Sequence, residues 1–330
     1  MINGPSLPTY AVRLSQQPRE ANSNMLIVEN SVDTFHEWDK NQPYWTETFW
    51  YGAWIPEVAT TVYLYSWFRP VLGIYGGGCI IWDDKEYLPW DIPVFHYDVN
   101  RPLLAPADLR ALNLDCGTRL RTIEEGYRYE ISYSRRDIEV QMRFDAVTPP
   151  EIVTAKGMSE FFNGHIDQSG HYRGYVRIGD RRHEIDCFGI RDRSWGPRVM
   201  TDNIRMNYCH GQSKDLAFVS YSRPNGTQED VFKGYLSRDG RRVNLAAGSR
   251  RSIYRNSVLL QIDIELTDVE GRRMTLTGVP LNRMVYEPYP NLITWLYLMK
   301  WRIGEETIYG EEQDVWSIPL WHARSRSDRV

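Results

Sequence analysis

The chain has 330 residues, of which 42% are hydrophobic and 25% are charged, and its formal net charge is −4. Its lysines and arginines form no concentrated basic patch, so the sequence predicts no nucleic-acid binding. It contains no run of about 18 apolar residues, and its N-terminal region has no apolar core of a signal peptide. We therefore expect a soluble, cytoplasmic protein without a transmembrane segment.

Aromatic residues are abundant, with 12 Trp, 21 Tyr and 10 Phe. Such side chains are common in the cores of β-rich proteins, and they also line pockets for flat or apolar ligands. The four cysteines, Cys79, Cys116, Cys187 and Cys209, are widely spaced and form no Cys-x-x-Cys or Cys/His pattern. We therefore expect reduced core cysteines, and the sequence predicts neither a metal site nor a bound cofactor.

Segments in which apolar and polar residues alternate recur along the chain, and turn residues separate them. This pattern predicts short antiparallel strands joined by hairpins. The alternating segments are 62–67, 127–133, 138–144, 175–178, 183–187, 231–236, 258–266 and 274–276, with turns at 135–137, 179–180, 239–240 and 270–271. Helical periodicity is scarce, and it predicts one short helix at Ala105–Leu112 and one helical turn at Gly157–Phe162.

Short strands joined by regularly spaced hairpin turns are typical of antiparallel sheets that close into barrels or stack as sandwiches. The pair Pro149-Pro150 and the residues 151–163 that follow it have the character of a crossover between two halves. We therefore expect an all-β protein with an N-terminal extension at residues 1–24, a first β domain at 25–155 and a second β domain at 156–330, with the two domains packed together.

One segment concentrates charged and aromatic residues. Gly189–Arg198 has the sequence Gly-Ile-Arg-Asp-Arg-Ser-Trp-Gly-Pro-Arg and follows a strand predicted to end at Phe188. Asp192 stands between two arginines, which should lower the pKa of its carboxyl group and suit it to a base or charge stabiliser better than to an acid. The structural alternative is that Asp192 pairs with an arginine and that Trp195 closes one end of a barrel.

This segment resembles a hallmark of the family of AttH-like proteins and carotenoid 1,2-hydratases (hydroxyneurosporene synthases), in which a strand is followed by Asp-x-x-Trp-Gly. The family also includes kievitone-hydratase-like and Diels-Alderase-like enzymes. The stretches that carry the resemblance are His165–Gln168, Gly170, Gly174, Ile185-Asp186, Gly189–Gly196, Glu47–Tyr51 and Tyr309–Gln313. The resemblance implies two lipocalin-like, calycin-type β-barrels with a ligand cleft at or between them, and it leaves the reaction open.

Glu47 is the candidate general acid. It lies beside Trp45, Phe49 and Trp50 in the sequence, and apolar surroundings raise the pKa of a carboxyl group, as a general acid requires. The alternative is that Glu47 is an exposed residue on a strand.

Histidines supply further candidates. His210 could transfer protons near neutral pH, although a lone histidine is more often a satisfied core or surface residue. His165 belongs to the family resemblance, but we expect it to stabilise a turn through a hydrogen bond. Glu311 and Glu312 are expected to lie in solvent.

The function that these residues favour is a cofactor-independent lyase: a hydratase or dehydratase acting on a hydrophobic isoprenoid or aromatic molecule. Hydration of an alkene requires an acid to protonate carbon, aromatic surfaces to stabilise positive charge and a base to guide water. Glu47 would be the acid, Asp192 the base or charge stabiliser, and His210 a proton-transfer partner. The candidate substrate-binding residues are Trp50, Tyr65, Trp67, Trp195, Tyr208, Arg191 and Arg198.

Other functions are compatible with the same residues. An isomerase or a cyclase could use the same cleft and the same acid and base. A non-catalytic, lipocalin-like binder of a hydrophobic ligand needs the aromatic cavity but no buried titratable groups. A third alternative is a protein whose aromatic residues face a partner subunit, and the sequence is compatible with a homodimer.

Overall fold

In a computed structural model of the chain, the described residues are 32–103, 108–153, 162–225 and 228–327. They form antiparallel strands almost throughout, with a 3-10 helix at Pro56–Val58 and an α-helix, α1, at Ile318–Ser327. The prediction of an all-β protein made of two lipocalin-like barrels is confirmed. Among the described residues, no helix is long and apolar enough to cross a membrane.

The first unit is a curled sheet. Its strands are β1 (Trp45–Ile55), β2 (Thr60–Arg69), β3 (Ile74–Trp82), β4 (Val94–Pro102), β5 (Ala111–Asn113), β6 (Thr118–Glu124), β7 (Arg128–Arg135), β8 (Ile138–Ala146), β9 (Ile152–Val153), β10 (Gly164–Ile178) and β11 (Arg181–Pro197). Their order is β4-β3-β2-β1-β11-β10-β8-β7-β6-β5, and β9 pairs with β10. Strand β1 therefore lies beside the distant Gly189–Arg198 segment.

The second unit is a closed barrel. Its strands are β12 (Arg205–Gln212), β13 (Leu216–Asn225), β14 (Gln228–Arg238), β15 (Arg241–Arg255), β16 (Val258–Asp268), β17 (Arg273–Pro280), β18 (Met284–Tyr289), β19 (Leu292–Ile303) and β20 (Glu306–Ser317). Their order is β17-β16-β15-β14-β13-β12-β20-β19-β18, and pairing between β17 and β19 closes the ring. Helix α1 follows β20 directly and packs on the barrel through Trp321.

The predicted hairpins β7–β8, β10–β11, β14–β15 and β16–β17 are present. The predicted helix at Ala105–Leu112 is wrong at its C-terminal end, because β5 begins there. Residues 105–107 of this predicted helix lie outside the described residues. Residues 157–161 of the predicted helical turn also lie outside them. The strand predicted to end at Phe188 continues to Pro197, so the charged segment is itself part of a strand. The sheets change between β11 and β12, whereas the predicted domain boundary at residue 155 falls among strands of the first sheet.

Apolar clusters fill each unit and the space between the two units. The cluster between them contains Trp50 and Tyr63 from the first sheet together with Tyr208 and Tyr221 from the barrel. The four cysteines are buried and unpaired, as expected. These contacts make the boundary between the two units a packed, aromatic interface.

Charged side chains occupy part of the interior of the second barrel. Arg250 is fully buried there, and its Nη1 and Nη2 atoms donate hydrogen bonds of 2.8 and 2.6 Å to the carboxylate of Glu312. Asn207 donates to the same carboxylate at 2.8 Å. Polar groups bonded to one another occupy this part of the barrel and apolar side chains pack another part, so the ligand site is better sought between the two units than inside this barrel.

Candidate active site

Three neighbouring strands place polar side chains on the face of the first sheet that packs against the barrel. Trp50 of β1 lies opposite Asp192 of β11, which in turn lies opposite Asp167 of β10. Residues directly across antiparallel strands share a face of the sheet, so these three side chains form a row. The next row on this face consists of Thr48, Ser194 and His165.

A cavity of about 160 Å³ lies between this face and the barrel. Aromatic side chains from both units form much of its wall, and one part of the wall is polar. The aromatic residues include Trp50, Tyr63, Tyr65, Phe162, Tyr286 and Tyr289. The polar part is formed by Thr48, His165, Asp192, Ser194 and Arg198. Apolar walls with a few convergent polar groups are typical of small-molecule sites.

His165 joins two carboxyl groups in the polar part of the wall. Its Nε2 atom lies 2.8 Å from Oδ1 of Asp167 and 3.3 Å from Oδ2 of Asp192. Two tyrosines of the barrel also contact Asp167: Tyr208 donates to Oδ1 at 2.6 Å, and Tyr221 donates to Oδ2 at 2.8 Å. Asp167 is therefore a buried anion held by three donors, and Asp192 is the carboxyl group that lines the cavity.

The environment separates the pKa values of these two carboxyl groups. Burial raises the pKa of Asp192 to about 6, with a contribution from the Asp167 carboxylate, while His165 and Arg198 oppose the increase. Burial acts in the same direction on Asp167, but His165 and the tyrosine hydroxyls outweigh it and lower the pKa. Burial alone would lower the pKa of His165, yet the two carboxylates outweigh it and raise that pKa.

The sequence-based expectation of a lowered pKa for Asp192 is therefore wrong. Successive side chains along β11 point to opposite faces of the sheet, so Arg191 and Arg193 lie on the face opposite to Asp192. Neither guanidinium therefore contacts the Asp192 carboxyl group. Burial against the aromatic interface then dominates, and Asp192 has the properties of an acid rather than those of a permanent anion.

Arg198 reaches the cavity from the residues that follow β11. Its Nη2 atom donates a hydrogen bond to Oγ of Ser194, which lies 2.7 Å from Oγ1 of Thr48. Its buried Nε atom has no hydrogen-bond partner among the described residues. The guanidinium can therefore donate a further hydrogen bond, for example to a hydroxyl or carboxylate oxygen of a ligand.

A second carboxyl group with a raised pKa lies behind the cavity wall. Glu311 of β20 is 1% exposed, and burial raises its pKa to about 8. Gln313, which lines the cavity, donates to Oε1 of Glu311 at 2.7 Å, and Oε2 has no partner within the described ranges. Glu311 is therefore mostly protonated at neutral pH. The expectation that Glu311 and Glu312 lie in solvent is wrong, because both are buried.

Glu47 lies on the other face of the sheet, inside the first unit. Its Oε2 atom accepts a 2.8 Å hydrogen bond from Arg193, and its Oε1 atom accepts bonds from the backbone N–H of His36 at 3.0 Å and from Nε1 of Trp45 at 3.2 Å. Burial alone would raise the pKa of this carboxyl group, but Arg193 and His36 outweigh burial and lower it. The expectation of a raised pKa for Glu47 is therefore wrong, and the residue does not line the cavity.

His210, the third predicted catalytic residue, is fully buried between Trp50 and Trp54, with ring centroids 5.7 Å from each. Its Nδ1 atom lies 3.1 Å from Oε1 of Gln212. Burial lowers the pKa of His210 to about 4, so the ring is neutral near pH 7. It packs behind Trp50 and is not part of the cavity wall.

Four of the predicted substrate-binding residues line the cavity: Trp50, Tyr65, Tyr208 and Arg198. The other three do not. Arg191 lies inside the first unit, where its Nε donates to Gln168 at 2.5 Å. Trp67 packs over Gly76 and beneath the guanidinium of Arg69.

Trp195, the most prominent aromatic residue of the charged segment, also faces away from the cavity. Its indole stacks on His36 with ring centroids 3.7 Å apart. It also covers Gly164, where a Cβ atom would lie only 2.2 Å from the indole, so glycine allows this close approach. Trp195 therefore fixes the pairing of β10 with β11, close to His165.

Asp167 and Tyr221 were not predicted as site residues from the sequence, and His165 was expected to have a structural role. One local signal was available, since His165 and Asp167 are two residues apart in a segment that could form a strand and would then share a face. No local signal links Tyr221 to them, because that contact joins two separate sheets.

His165, Asp167 and Asp192 could also hold a metal ion, because they offer one donor atom each within 4.8 Å of one another. Imidazole nitrogen and carboxylate oxygen are common ligands of divalent metals. In this structure the three groups bond to one another through Nε2 of His165. A metal ion would have to replace the proton on that nitrogen, so metal binding and the hydrogen-bonded arrangement are mutually exclusive.

A family model described as a domain of unknown function (DUF7064) matches residues 29–306. The chain belongs to this family. The match spans nearly all of the two units of this DUF7064 protein, from before β1 to the start of β20. Among curated proteins, none matches the sequence significantly.

Solved structures with a similar fold come from the group that the sequence resembles. CghA, in a structure with Sch210972, is 11% identical, with a TM-score of 0.52 over 83% of this DUF7064 chain and 89% of that chain. An AttH-type protein from Nitrosomonas europaea is 12% identical, with a TM-score of 0.48 over 82% and 92%. Kievitone hydratase from Nectria haematococca is 10% identical, with a TM-score of 0.45 over 88% and 95%. The solved structures match the resemblance predicted from the sequence. At 11% identity the likeness to CghA shows the fold alone.

Proposed function

We propose that this protein is an acid–base enzyme, most specifically a hydratase or dehydratase that acts on a hydrophobic, unsaturated small molecule without a cofactor. The observation that carries the proposal is the position of Asp192, whose pKa is about 6 and which His165 holds at the wall of an aromatic cavity. A group whose pKa lies near the working pH can both donate and accept a proton. A simple carrier of apolar ligands has no need of such a group.

The proposed reaction is the addition of water to a carbon–carbon double bond. Protonated Asp192 transfers its proton to one alkene carbon, and the faces of Trp50 and Tyr63 stabilise positive charge on the other. His165 and Arg198 stabilise the carboxylate that Asp192 then becomes. Water attacks the cationic carbon and gives one proton to Asp192, which restores the acid. Dehydration follows the same steps in reverse.

The wall of the cavity defines the substrate class. Its aromatic surfaces suit an isoprenoid or aromatic compound, and Arg198 with Ser194 offers partners for one oxygen-bearing group. The structure of CghA with Sch210972 supports a ligand-binding role for this fold. We assign the acid role to Asp192 and treat Glu47 as part of the core, because Asp192 lines the cavity and Glu47 does not.

The test begins with mass spectrometry of small molecules that copurify with the protein. These compounds and unsaturated relatives of them are then incubated with the protein in isotope-labelled water. We expect the label in the product, and we expect Asp192→Asn to lower turnover by about 10²- to 10⁴-fold without weakening binding. The matched control is Asp186→Asn, which changes an exposed aspartate on the same strand and should leave turnover unchanged.

Three results would contradict the proposal. If Asp192→Asn retained full turnover, Asp192 would not be the acid. If the product carried no label although it depended on Asp192, the reaction would be an isomerisation or a cyclisation in the same cavity. If bound compounds were never converted by the native protein, the protein would be a binder of hydrophobic ligands.

A further inference from the structure

A second cavity, of about 400 Å³, shares part of its wall with the first. Tyr221 belongs to the linings of both cavities, and Asp167, to which Tyr221 donates a hydrogen bond of 2.8 Å, lines the second. The other lining residues of this second cavity come from β13, β14, β15 and the segment around β9, and they include Lys233, Arg242 and Glu151. The second cavity therefore lies directly beside the hydrogen-bonded group that holds His165.

Arg242 is a buried cation in this cavity. Its side chain is 5% exposed, and the guanidinium stacks on the ring of Tyr235 at 3.9 Å. Its Nη1 atom donates a hydrogen bond of 3.4 Å to the backbone oxygen of Asp167. Its Nε atom lies 3.1 Å from Oε2 of Glu151 but makes no aligned hydrogen bond with it, and it has no other partner among the described residues. Glu151, which is 46% exposed, is thus a loosely held counter-ion that a better-placed anion could displace.

Lys233 is a second cation in the same lining. It is half-buried, and loss of solvent lowers the pKa of its ammonium group, although the Asp167 carboxylate acts in the opposite direction. No ion pair of Lys233 occurs within the part of the chain that the structure describes. A desolvated ammonium group without a counter-ion is unfavourable, and an anion placed between it and Arg242 would remove that cost.

We propose that this second cavity is a binding site for an oxyanion, either a phosphate or a carboxylate group, held between Lys233 and Arg242. The anion replaces Glu151 on Arg242 and gives Lys233 an ion pair, which the Asp167 carboxylate does not form with it. The apolar neighbours Ile152, Val219 and Phe232 leave room beside the charged groups for an organic extension of the ligand. This site is independent of the proposed chemistry at Asp192, and its test requires no catalytic activity.

The test is isothermal titration calorimetry of the full chain at constant ionic strength, with inorganic phosphate, acetate and phenyl phosphate as probes. We expect one saturable site for phosphate. Lys233→Met should weaken it by about 10-fold or more, because a hydrogen bond to a charged group is lost. Glu151→Gln should strengthen it, because a competing anion is removed. The matched control is Lys214→Met, which changes an exposed lysine in the turn after β12 and should leave binding unchanged.

The comparison of probes identifies the source of the anion. Tighter binding of phenyl phosphate than of phosphate would support the anionic group of a larger molecule, whereas equal binding would support a free anion. Preference for acetate over phosphate would support a carboxylate. The proposal is overturned if none of the three probes binds more tightly than about 10 mM, or if Lys233→Met and Lys214→Met bind equally well.

Discussion

Replacing Glu47 with glutamine should destabilise the protein rather than disable a catalytic acid. Glu47 is 0% exposed and Arg193 is 1% exposed, and their side chains meet at 2.8 Å. In the variant, the Arg193 guanidinium stays buried without its counter-ion, although it keeps hydrogen bonds to the backbone oxygens of Val32, Thr34 and Thr48. Removal of one partner from a buried ion pair costs about 3–5 kcal/mol. Because those three hydrogen bonds to carbonyl oxygens remain, we expect a loss at the lower end of this range, about 3 kcal/mol in the free energy of unfolding.

The assay is equilibrium unfolding in urea at several pH values. The pKa of Glu47 is lower in the folded protein than its ordinary value of 4.5, so its ionised form stabilises the fold. That stabilisation is complete above the pKa of the unfolded chain and disappears as the pH falls through the pKa of the folded protein. The difference between the native protein and Glu47→Gln should therefore be largest near neutral pH and should shrink in acid.

The matched control is Glu184→Gln, which removes the charge of an exposed glutamate paired with Arg182 on the surface of β11. An exposed pair of this kind is worth less than about 1 kcal/mol. A Glu47→Gln variant that was as stable as this control but had lost turnover would refute the assignment of Glu47 to the core. Glu47 would then again be a candidate acid.

Other contacts give predictions of their own. His165→Gln removes the cation that lowers the pKa of Asp192, so turnover should persist to higher pH; an unchanged pH profile would contradict the contact. Glu312→Gln removes the bidentate partner of Arg250 inside the barrel but leaves Glu229 at 2.9 Å as a counter-ion, so it should cost about 1–3 kcal/mol in urea unfolding, and an unchanged free energy of unfolding would contradict the contact. Treatment with a chelator should leave turnover unchanged, while added Zn²⁺ should inhibit by displacing the proton between His165 and Asp167; activity lost on chelation and restored by Zn²⁺ would instead make a metal essential.

Much of the fold could be predicted because hairpins are local. The alternation around Gly179-Asp180 and Asp239-Gly240 specifies both the strands and the turns between them, so β10–β11 and β14–β15 were expected. The closure of the barrel by β17 and β19 has no such local signal. Helix α1 was not predicted either, because its tryptophan packs against β19 and β20 rather than producing a regular apolar stripe.

The site could be predicted only in part, because its properties depend on contacts between distant residues. Asp192 was found from its unusual segment, but its pKa was predicted in the wrong direction because sequence neighbours were taken as spatial neighbours. In a strand, adjacent residues point to opposite faces, so Arg193 belongs to Glu47 and not to Asp192. The pKa of Glu47 was predicted in the wrong direction for the same reason. Its neighbours in the sequence are apolar, but the residue that lowers its pKa, Arg193, is far along the chain.

The central claim is that Asp192 is an acid with a pKa near neutrality. The most direct measurement is a pH titration of the aspartate carboxyl carbons by NMR, with the Asp192 signal assigned by its absence in Asp192→Asn. We expect a midpoint of about 6 for this signal, while Asp167 remains ionised well below its ordinary pKa. A midpoint at or below about 4, the value of an unperturbed aspartate, would contradict the account, because Asp192 would then be a permanent anion at neutral pH.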